Sequence, residues 1–141
     1  MPGQAPLGST VFANEIIMIN GNAVQVARFI LGFSWIYHGL FPKLITVAPL
    51  EKALTGSIGF SAEVSTLITK SAGISEILFG AAIIAFYRTK ALIWLNIAAL
   101  LALLAFVAIQ MPVLLIEAFN PVTTNLALVG LSYVLLCDKR I

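Results

Sequence analysis

Residues 91–111 read "ALIWLNIAALLALLAFVAIQM" and contain no charged side chain. At about 1.5 Å per residue, a helix of this length crosses the roughly 30 Å hydrocarbon core of a bilayer. Pro112 follows directly and marks the predicted end of the helix. The segment therefore predicts a transmembrane helix, and lipid becomes the solvent that the rest of the chain must satisfy.

The whole chain has the composition of a membrane protein. Of its 141 residues, 60% are hydrophobic and 10% are charged, whereas soluble domains carry about 25% charged residues. The mean hydropathy is +1.03. The net charge of +2 is small, and the basic residues are dispersed, which argues against nucleic acid as a partner. The composition predicts the lipid bilayer as the main partner.

The apolar segments predict an all-α membrane protein, an antiparallel four-transmembrane-helix bundle. The predicted spans are residues 23–41, 62–87, 91–111 and 121–137. A short amphipathic surface helix is expected between the first and second spans, because Pro49 can start it and Gly56 can end it. We divide the chain into an amino-terminal arm, residues 1–22, and a four-helix membrane domain, residues 23–141.

The helix boundaries follow from capping residues and prolines. Asn22 can cap the first span and Pro42 is expected to end it, while Asn120 can cap the fourth. The apolar part of the arm either lies on the bilayer surface or packs on the bundle. Only residues 88–90 join the second and third spans, which predicts a tight antiparallel hairpin. The apolar connection before the fourth span suggests a shallow dip into the membrane.

The orientation follows from the Lys and Arg residues. The hairpin "RTK" at residues 88–90 and the tail "DKR" at residues 138–140 lie on one side of an even-numbered bundle. Short basic segments mark the cytoplasmic side. Both termini are therefore expected in the cytoplasm, with the surface helix on the outer side.

Two charged residues within the predicted spans, Arg28 and Glu76, differ in whether their side chains can reach the membrane interface. Arg28 lies about one turn from the predicted inner end of its span and can extend its guanidinium to the phosphate level. Glu76 lies about 9 Å deeper than Lys70 by helical rise and cannot reach the interface, so it must be neutral, paired or solvated by a cavity. Gly73 and Gly80 share its part of the helix, which points the carboxyl toward a neighbouring helix.

The stretch "WIYHGLFPK", residues 35–43, brings further polar groups to the outer half of the bundle. We expect Trp35 and His38 to share a helix face, with His38 the nearest partner of Glu76 and Lys43 a cation at the pocket mouth. Asn125 should complete the wall from the fourth span. The inner half offers chiefly Arg28 and Asn96, and a pocket is not expected there. The predicted ligand-binding residues are Trp35, His38, Lys43, Glu76 and Asn125.

Metal and thiol chemistry are not expected. Structural and catalytic metal sites need three or four convergent ligands, and the chain has one histidine and one cysteine. Cys137 cannot form an intramolecular disulfide, and we interpret it as a small residue at a helix end. No catalytic residue can be assigned from these patterns.

The ordered set "RFILGFSWIYHGLFPK", "GISEILFG", an uncharged third span and "FNPVTTNLAL" resembles the DoxX-like family of small four-helix membrane proteins. The resemblance covers roughly residues 27–136. It implies a bacterial inner-membrane location and a link to redox chemistry, because the family takes its name from a membrane subunit of a thiosulfate:quinone oxidoreductase. Other relatives are linked with oxidative-stress complexes, and eukaryotic relatives include receptor-assembly chaperones. The family supplies no agreed set of catalytic residues.

Two functions are compatible with these observations. The first is a redox-linked accessory that binds a quinone-like or other amphiphilic molecule in an outward-facing pocket, without a covalently bound cofactor. Electrons would then come from a membrane or soluble partner subunit or a diffusible donor, because no flavin, haem or thiol-pair motif occurs. The second is a non-catalytic assembly factor or lipid-binding scaffold. Both are compatible with a homo-oligomer, and whether the chain is an enzyme stays open.

Overall fold

The computed structural model describes the backbone of residues 7–138 and the side chains of residues 21–138. Every regular element within this part of the chain is helical. In chain order the elements are α1 (Leu7–Gly39), a π-helical turn (Leu40–Ile45), α2 (Pro49–Gly56), α3 (Ala62–Phe86), α4 (Lys90–Gln110), a 3₁₀ helix (Pro112–Ile116) and α5 (Pro121–Leu136).

Local capping explains three of the boundaries. The Ser61 side chain accepts a hydrogen bond from the backbone N–H of Val64 at the start of α3. At the start of α5, Oδ1 of Asn120 accepts a hydrogen bond from the backbone N–H of Thr123, with an N–O distance of 3.0 Å. Pro49 occupies the first turn of α2, where its missing N–H leaves no bond unmade. These boundaries agree with the sequence-based expectation.

The first helix differs from the prediction at both ends. It begins at Leu7, so Asn22 lies inside α1 and does not cap it, and residues 7–22 continue the helix. Pro42 does not end the helical path, which continues as a π-helical turn to Ile45. A proline lacks the N–H of the normal α-helical ladder, and π turns are one of the local adjustments that accommodate such a gap.

Helix α1 lies at the centre of the packing and contacts both α3 and α5, while α4 packs on α5. The α3–α4 connection is as short as predicted, but these two helices touch only sparsely. The fully buried apolar side chains come from four helices and include Leu31, Ile83, Ile93 and Leu135. The packing therefore runs from α3 through α1 and α5 to α4, and the side between α3 and α4 is left open.

Glycines allow α1 and α3 to approach closely at two levels. A Cβ added at Gly73 would lie 2.7 Å from the Gly39 carbonyl oxygen, and one at Gly80 would lie 2.5 Å from the Gly32 carbonyl oxygen. Each contact is between one helix and the backbone of the other, where no side chain can move aside. Small residues at helix interfaces permit this distance, as in membrane helix pairs.

The outer surface is strongly apolar. Among the described residues, Ala62–Phe86 and Lys90–Gln110 are long and apolar enough to cross a membrane, and Pro121–Leu136 is a shorter apolar helix. Large side chains on these helices are exposed, including Leu67, Leu78, Trp94 and Ile109. The predicted shallow dip before α5 is a 3₁₀ helix followed by the almost fully exposed Phe119. Such a surface suits lipid as its solvent.

Candidate ligand-binding site

An ion cluster forms around the buried Lys43, where the π-helical turn meets α3 and α2. The ammonium of Lys43 donates a hydrogen bond to Oε1 of Glu76 and lies 3.8 Å from Oε2 of Glu51. Lys43 is 8% exposed, although lysine is among the residues most rarely buried without a partner. We refer to Lys43, Glu51 and Glu76 as the ion cluster.

The close approach of α1 and α3 explains why this cluster is buried. The Gly39–Gly73 contact lies beside it, since a Cβ at Gly73 would lie 2.9 Å from the Cβ of Lys43. Removing a charge from water is costly, and only a well-placed opposite charge offsets that cost. Glycine contacts thus bring the chain segments near enough for Lys43 to reach Glu76.

Glu76 was expected to be neutral, paired or solvated, and in the structure it is paired with a lysine. The predicted partner was wrong, however, because Lys43 and not His38 donates the hydrogen bond to Glu76. Lys43 was also expected at the pocket mouth, whereas it is buried beneath α2. His38 is exposed on α1, and its imidazole interacts electrostatically with both Glu76 and Lys43. The histidine therefore lies at the edge of the cluster.

A cleft of about 300 Å³ lies beside the cluster, between α3 and α4. Its lining residues are Trp35, Ser75, Glu76, Phe79, Leu95 and Ala99. Trp35 and Phe79 pack edge to face with their ring centroids 5.1 Å apart. The second carboxylate oxygen of Glu76, Oε2, is buried and has no hydrogen-bond partner among the described residues. The cleft thus combines aromatic walls with a carboxylate that retains hydrogen-bonding capacity.

Helix α2 contributes one titratable group to the ion cluster, the Glu51 carboxyl. Burial raises the pKa of the Glu51 carboxyl above its usual value, and the nearby Lys43 ammonium partly opposes that effect. Glu51 therefore holds a proton more readily than an exposed glutamate does. We therefore expect the contact of α2 with the bundle to depend on pH.

A second set of polar contacts, which joins α1, α4 and α5, was not predicted from the sequence. The indole N–H of Trp35 donates to Oδ1 of Asn96 at 2.6 Å, and the Asn96 amide donates to Oγ of Ser132 at 2.7 Å. Asn96 and Ser132 are fully buried, and Ser132 donates in turn to the Leu128 carbonyl. We refer to Trp35, Asn96 and Ser132 as the amide chain. The signal in the sequence was one asparagine inside an otherwise apolar span.

Asn125 does not complete the wall of the cleft as expected. Its amide donates to the Leu100 carbonyl at 3.1 Å, which ties α5 to α4. The Arg28 expectation also changes, because α1 extends far beyond Asn22 and Arg28 is not near a helix end. Trp35 and Glu76 are thus the predicted site residues that line the cleft. Lys43 does not line it, but donates a hydrogen bond to Glu76.

Residues 32–133 match the DoxX-like family. Neither a curated protein nor a solved structure is similar enough to add a further relative. The match spans most of the chain. It includes the Gly39–Gly73 contact and every member of the ion cluster and of the amide chain. The resemblance seen in the sequence is confirmed: this chain is a membrane protein that belongs to the DoxX-like family.

Proposed function

We propose that this chain is a redox-linked accessory of the bacterial inner membrane that binds a quinone-like or other amphiphilic molecule in the cleft between α3 and α4. The observation that carries the proposal is the cleft itself, where the Glu76 carboxylate adjoins the rings of Trp35 and Phe79. Ligand sites are typically apolar concavities with a few polar groups that fix orientation. An amphiphile with a flat polar headgroup has matching chemistry.

The cluster geometry favours a headgroup that can donate a hydrogen bond. A carboxylate only accepts, and one oxygen of Glu76 already accepts from Lys43. The free oxygen can accept from a hydroxyl, as found in a quinol, whereas the carbonyls of a quinone are acceptors themselves. The rings of Trp35 and Phe79 would pack against the headgroup. The reduced form should therefore bind better than the oxidised form.

Electrons would have to come from elsewhere. The sequence has a single cysteine and no flavin or haem motif, and the proposal includes no covalently bound cofactor. A membrane or soluble partner subunit would supply or remove them, while this chain binds and orients the molecule. The exposed apolar helix faces leave room for such a subunit or for a homo-oligomer.

The proposed topology has four spans, formed by α1, α3, α4 and α5, with both termini cytoplasmic and α2 on the outer side. Its support is the apolar length of α3 and α4 and the basic residues of the α3–α4 connection. Single cysteines at Thr89 or Gly56, introduced with Cys137→Ser, test it. Impermeant maleimide added to intact cells should label position 56 and leave position 89 unlabelled. Labelling of position 89 would overturn the topology.

A non-catalytic assembly factor or lipid-binding scaffold is the alternative. The observation that favours it is the internal use of polar groups: Lys43 is bonded to Glu76, and Asn96 to Trp35 and Ser132. Such buried contacts fix helix register without any ligand. In that case the cleft would be filled by ordinary lipid.

Tryptophan fluorescence separates the two functions. The chain has two tryptophans, and Trp94 is exposed on α4 while Trp35 lines the cleft. In Trp94→Phe protein, emission comes from Trp35 alone. We expect saturable quenching when a short-chain quinol or quinone is added to the protein in nanodiscs, with tighter binding of the quinol. Ala99→Phe in the same background fills the cleft and should abolish saturation.

The control is Ala105→Phe, an exposed position on the same helix that does not line the cleft. Glu76→Gln should reduce the preference for the quinol while retaining a side chain of the same shape. Linear quenching that is equal in the Ala99→Phe and Ala105→Phe proteins would reject the binding function and favour the scaffold.

A further inference from the structure

A second apolar groove lies between α1 and α3. Its volume is about 420 Å³, and its lining residues are Phe29, Ile30, Phe33, Ile36 and Ile84. Phe33 is 64% exposed and Phe29 is 50% exposed, so the groove opens onto the surface of the bundle. Its walls offer hydrocarbon and aromatic contacts suited to an acyl chain.

Arg28 lies beside this groove, and Arg88 contacts the same tyrosine ring as Arg28. The Arg28 guanidinium lies 4.6 Å from the centroid of the Phe29 ring, and Phe29 itself lines the groove. Arg28 also lies 4.7 Å from the Tyr87 ring centroid, and Arg88 lies 5.5 Å from the same ring. Two guanidinium groups thus share one aromatic ring, which is itself buried. Cation–π contact holds each of them, but their charges repel each other.

The positive charge beside the groove has no protein counter-ion in the part of the chain whose side chains are described. The ion pairs found there both belong to Lys43. In addition, Nε of Arg28 is buried and has no hydrogen-bond acceptor. A buried donor without a partner is unfavourable. An anion placed here would satisfy both the charge and the donor.

We propose that this groove binds one anionic phospholipid, with the phosphate held by Arg28 and Arg88 and an acyl chain along Phe29, Phe33 and Ile36. A guanidinium can bind phosphate through two parallel hydrogen bonds, which a lysine cannot do. The groove next to it supplies the apolar surface that a chain requires, and each buried methylene contributes to affinity. Anionic lipids are recognised in membranes by such basic residues at the end of an apolar surface. This second site is independent of the α3–α4 cleft.

The experiment is native mass spectrometry of the full-length protein released from nanodiscs. The discs contain phosphatidylcholine with an equal amount of phosphatidylglycerol, and the ratio of the two lipids retained by the protein is measured. We expect selective retention of one phosphatidylglycerol. Arg28→Gln should lower the retention ratio about fivefold, the change expected for one basic residue at an anionic membrane surface. Arg28→Lys should restore part of it.

Three further variants separate the effect of the groove from the effect of charge. Ile30→Trp fills the groove without changing charge and should also reduce retention, whereas Ile109→Trp, exposed on α4, should leave it unchanged. Lys70→Gln removes an exposed cation elsewhere on α3 and controls for general charge. Thermal unfolding of each variant shows whether it is folded.

Three results would overturn the proposal. Equal retention of the two lipids by the wild-type protein would exclude headgroup selectivity. Equal effects of Arg28→Gln and Lys70→Gln would exclude a specific site. Complete displacement of the lipid by millimolar inorganic phosphate would identify a free anion as the ligand, with no role for the acyl chain. None of these outcomes depends on quinone binding, so the two sites can fail separately.

Discussion

The ion cluster joins the π-helical turn to α2 and α3, and the amide chain joins α1 to α4 and α5, but only the ion cluster contains charges. Lys43, in the π-helical turn that follows α1, contacts Glu76 on α3 and Glu51 on α2. Trp35, Asn96 and Ser132 connect α1 to α4 and α5 through neutral hydrogen bonds. Losing one partner of a neutral hydrogen bond is less costly than leaving a buried charge without its counter-ion. The two regions should therefore respond very differently to the loss of one partner.

The largest effect is expected for Lys43→Met. It leaves the Glu76 carboxylate buried without its cation, and we expect a loss of about 3–5 kcal/mol in the free energy of unfolding. Reversible unfolding in mixed micelles measures it. Lys52→Met, on the exposed face of α2, is the matched control.

A double variant sharpens this test. Lys43→Met combined with Glu76→Leu removes both charges and should recover most of the lost stability, because a buried pair can often be replaced by apolar residues. Equal stability of the Lys43→Met and Lys52→Met proteins would show that the ion cluster is not buried as described.

The second largest effect is expected at the glycine contact beside the ion cluster. Gly39→Ala places a Cβ against the Gly73 backbone, so the helices must separate, and we expect a loss of about 1–3 kcal/mol. Gly130→Ala is the control, since a Cβ there meets nothing within 4 Å. It should be neutral or stabilising, because alanine favours a helix over glycine. Similar unfolding of the two variants would contradict the close approach of α1 and α3.

A smaller loss is expected in the amide chain. Asn96→Leu removes the acceptor of the Trp35 indole and the donor to Ser132, and membrane hydrogen bonds of this kind contribute about 1–2 kcal/mol at most. Unfolding in mixed micelles and the Trp35 emission maximum report the change. Ser75→Ala removes only a local bond to the Ser71 carbonyl and serves as the control. A loss as large as that of Lys43→Met would abolish the contrast between the two regions.

The smallest effect concerns pH and α2. Burial raises the pKa of Glu51, so protonation of Glu51 favours the docked helix. This contribution is fully present below the ordinary glutamate pKa of about 4.3 and is lost as pH rises through the higher pKa of the docked state. Hydrogen exchange of the α2 amides, corrected for the intrinsic rate, should therefore increase over that range. Glu51→Gln should remove the dependence, and Glu63→Gln, which is exposed on α3, should not.

Much of the fold could be predicted because it follows from local chemistry. The bounds of α2 at Pro49 and Gly56 and the caps at Ser61 and Asn120 depend on neighbouring residues alone. Pro42 was wrongly expected to end the helical path, because the rule that proline ends a helix does not foresee a π-helical turn. That error placed Lys43 outside the helix and at the pocket mouth.

The candidate site could be predicted only in part. The depth of Glu76 in an apolar helix predicts that it needs a partner, but not which one. Asn96 binds groups 61 residues before it and 36 residues after it in the chain. Contacts at such separations depend on how the helices are arranged, which periodicity within one helix does not specify. His38 and Asn125 were misplaced for the same reason.

The sparse contact between α3 and α4 determines how the proposed ligand would reach the cleft. The cleft opens on the flank of the bundle, so a molecule dissolved in the bilayer can reach Glu76 by lateral diffusion, without first crossing water. Its occupancy then depends on its mole fraction in the membrane. Hydrophobic analogues with different tails should show equal affinity once their partitioning into lipid is taken into account, even when their apparent affinities in aqueous units differ widely.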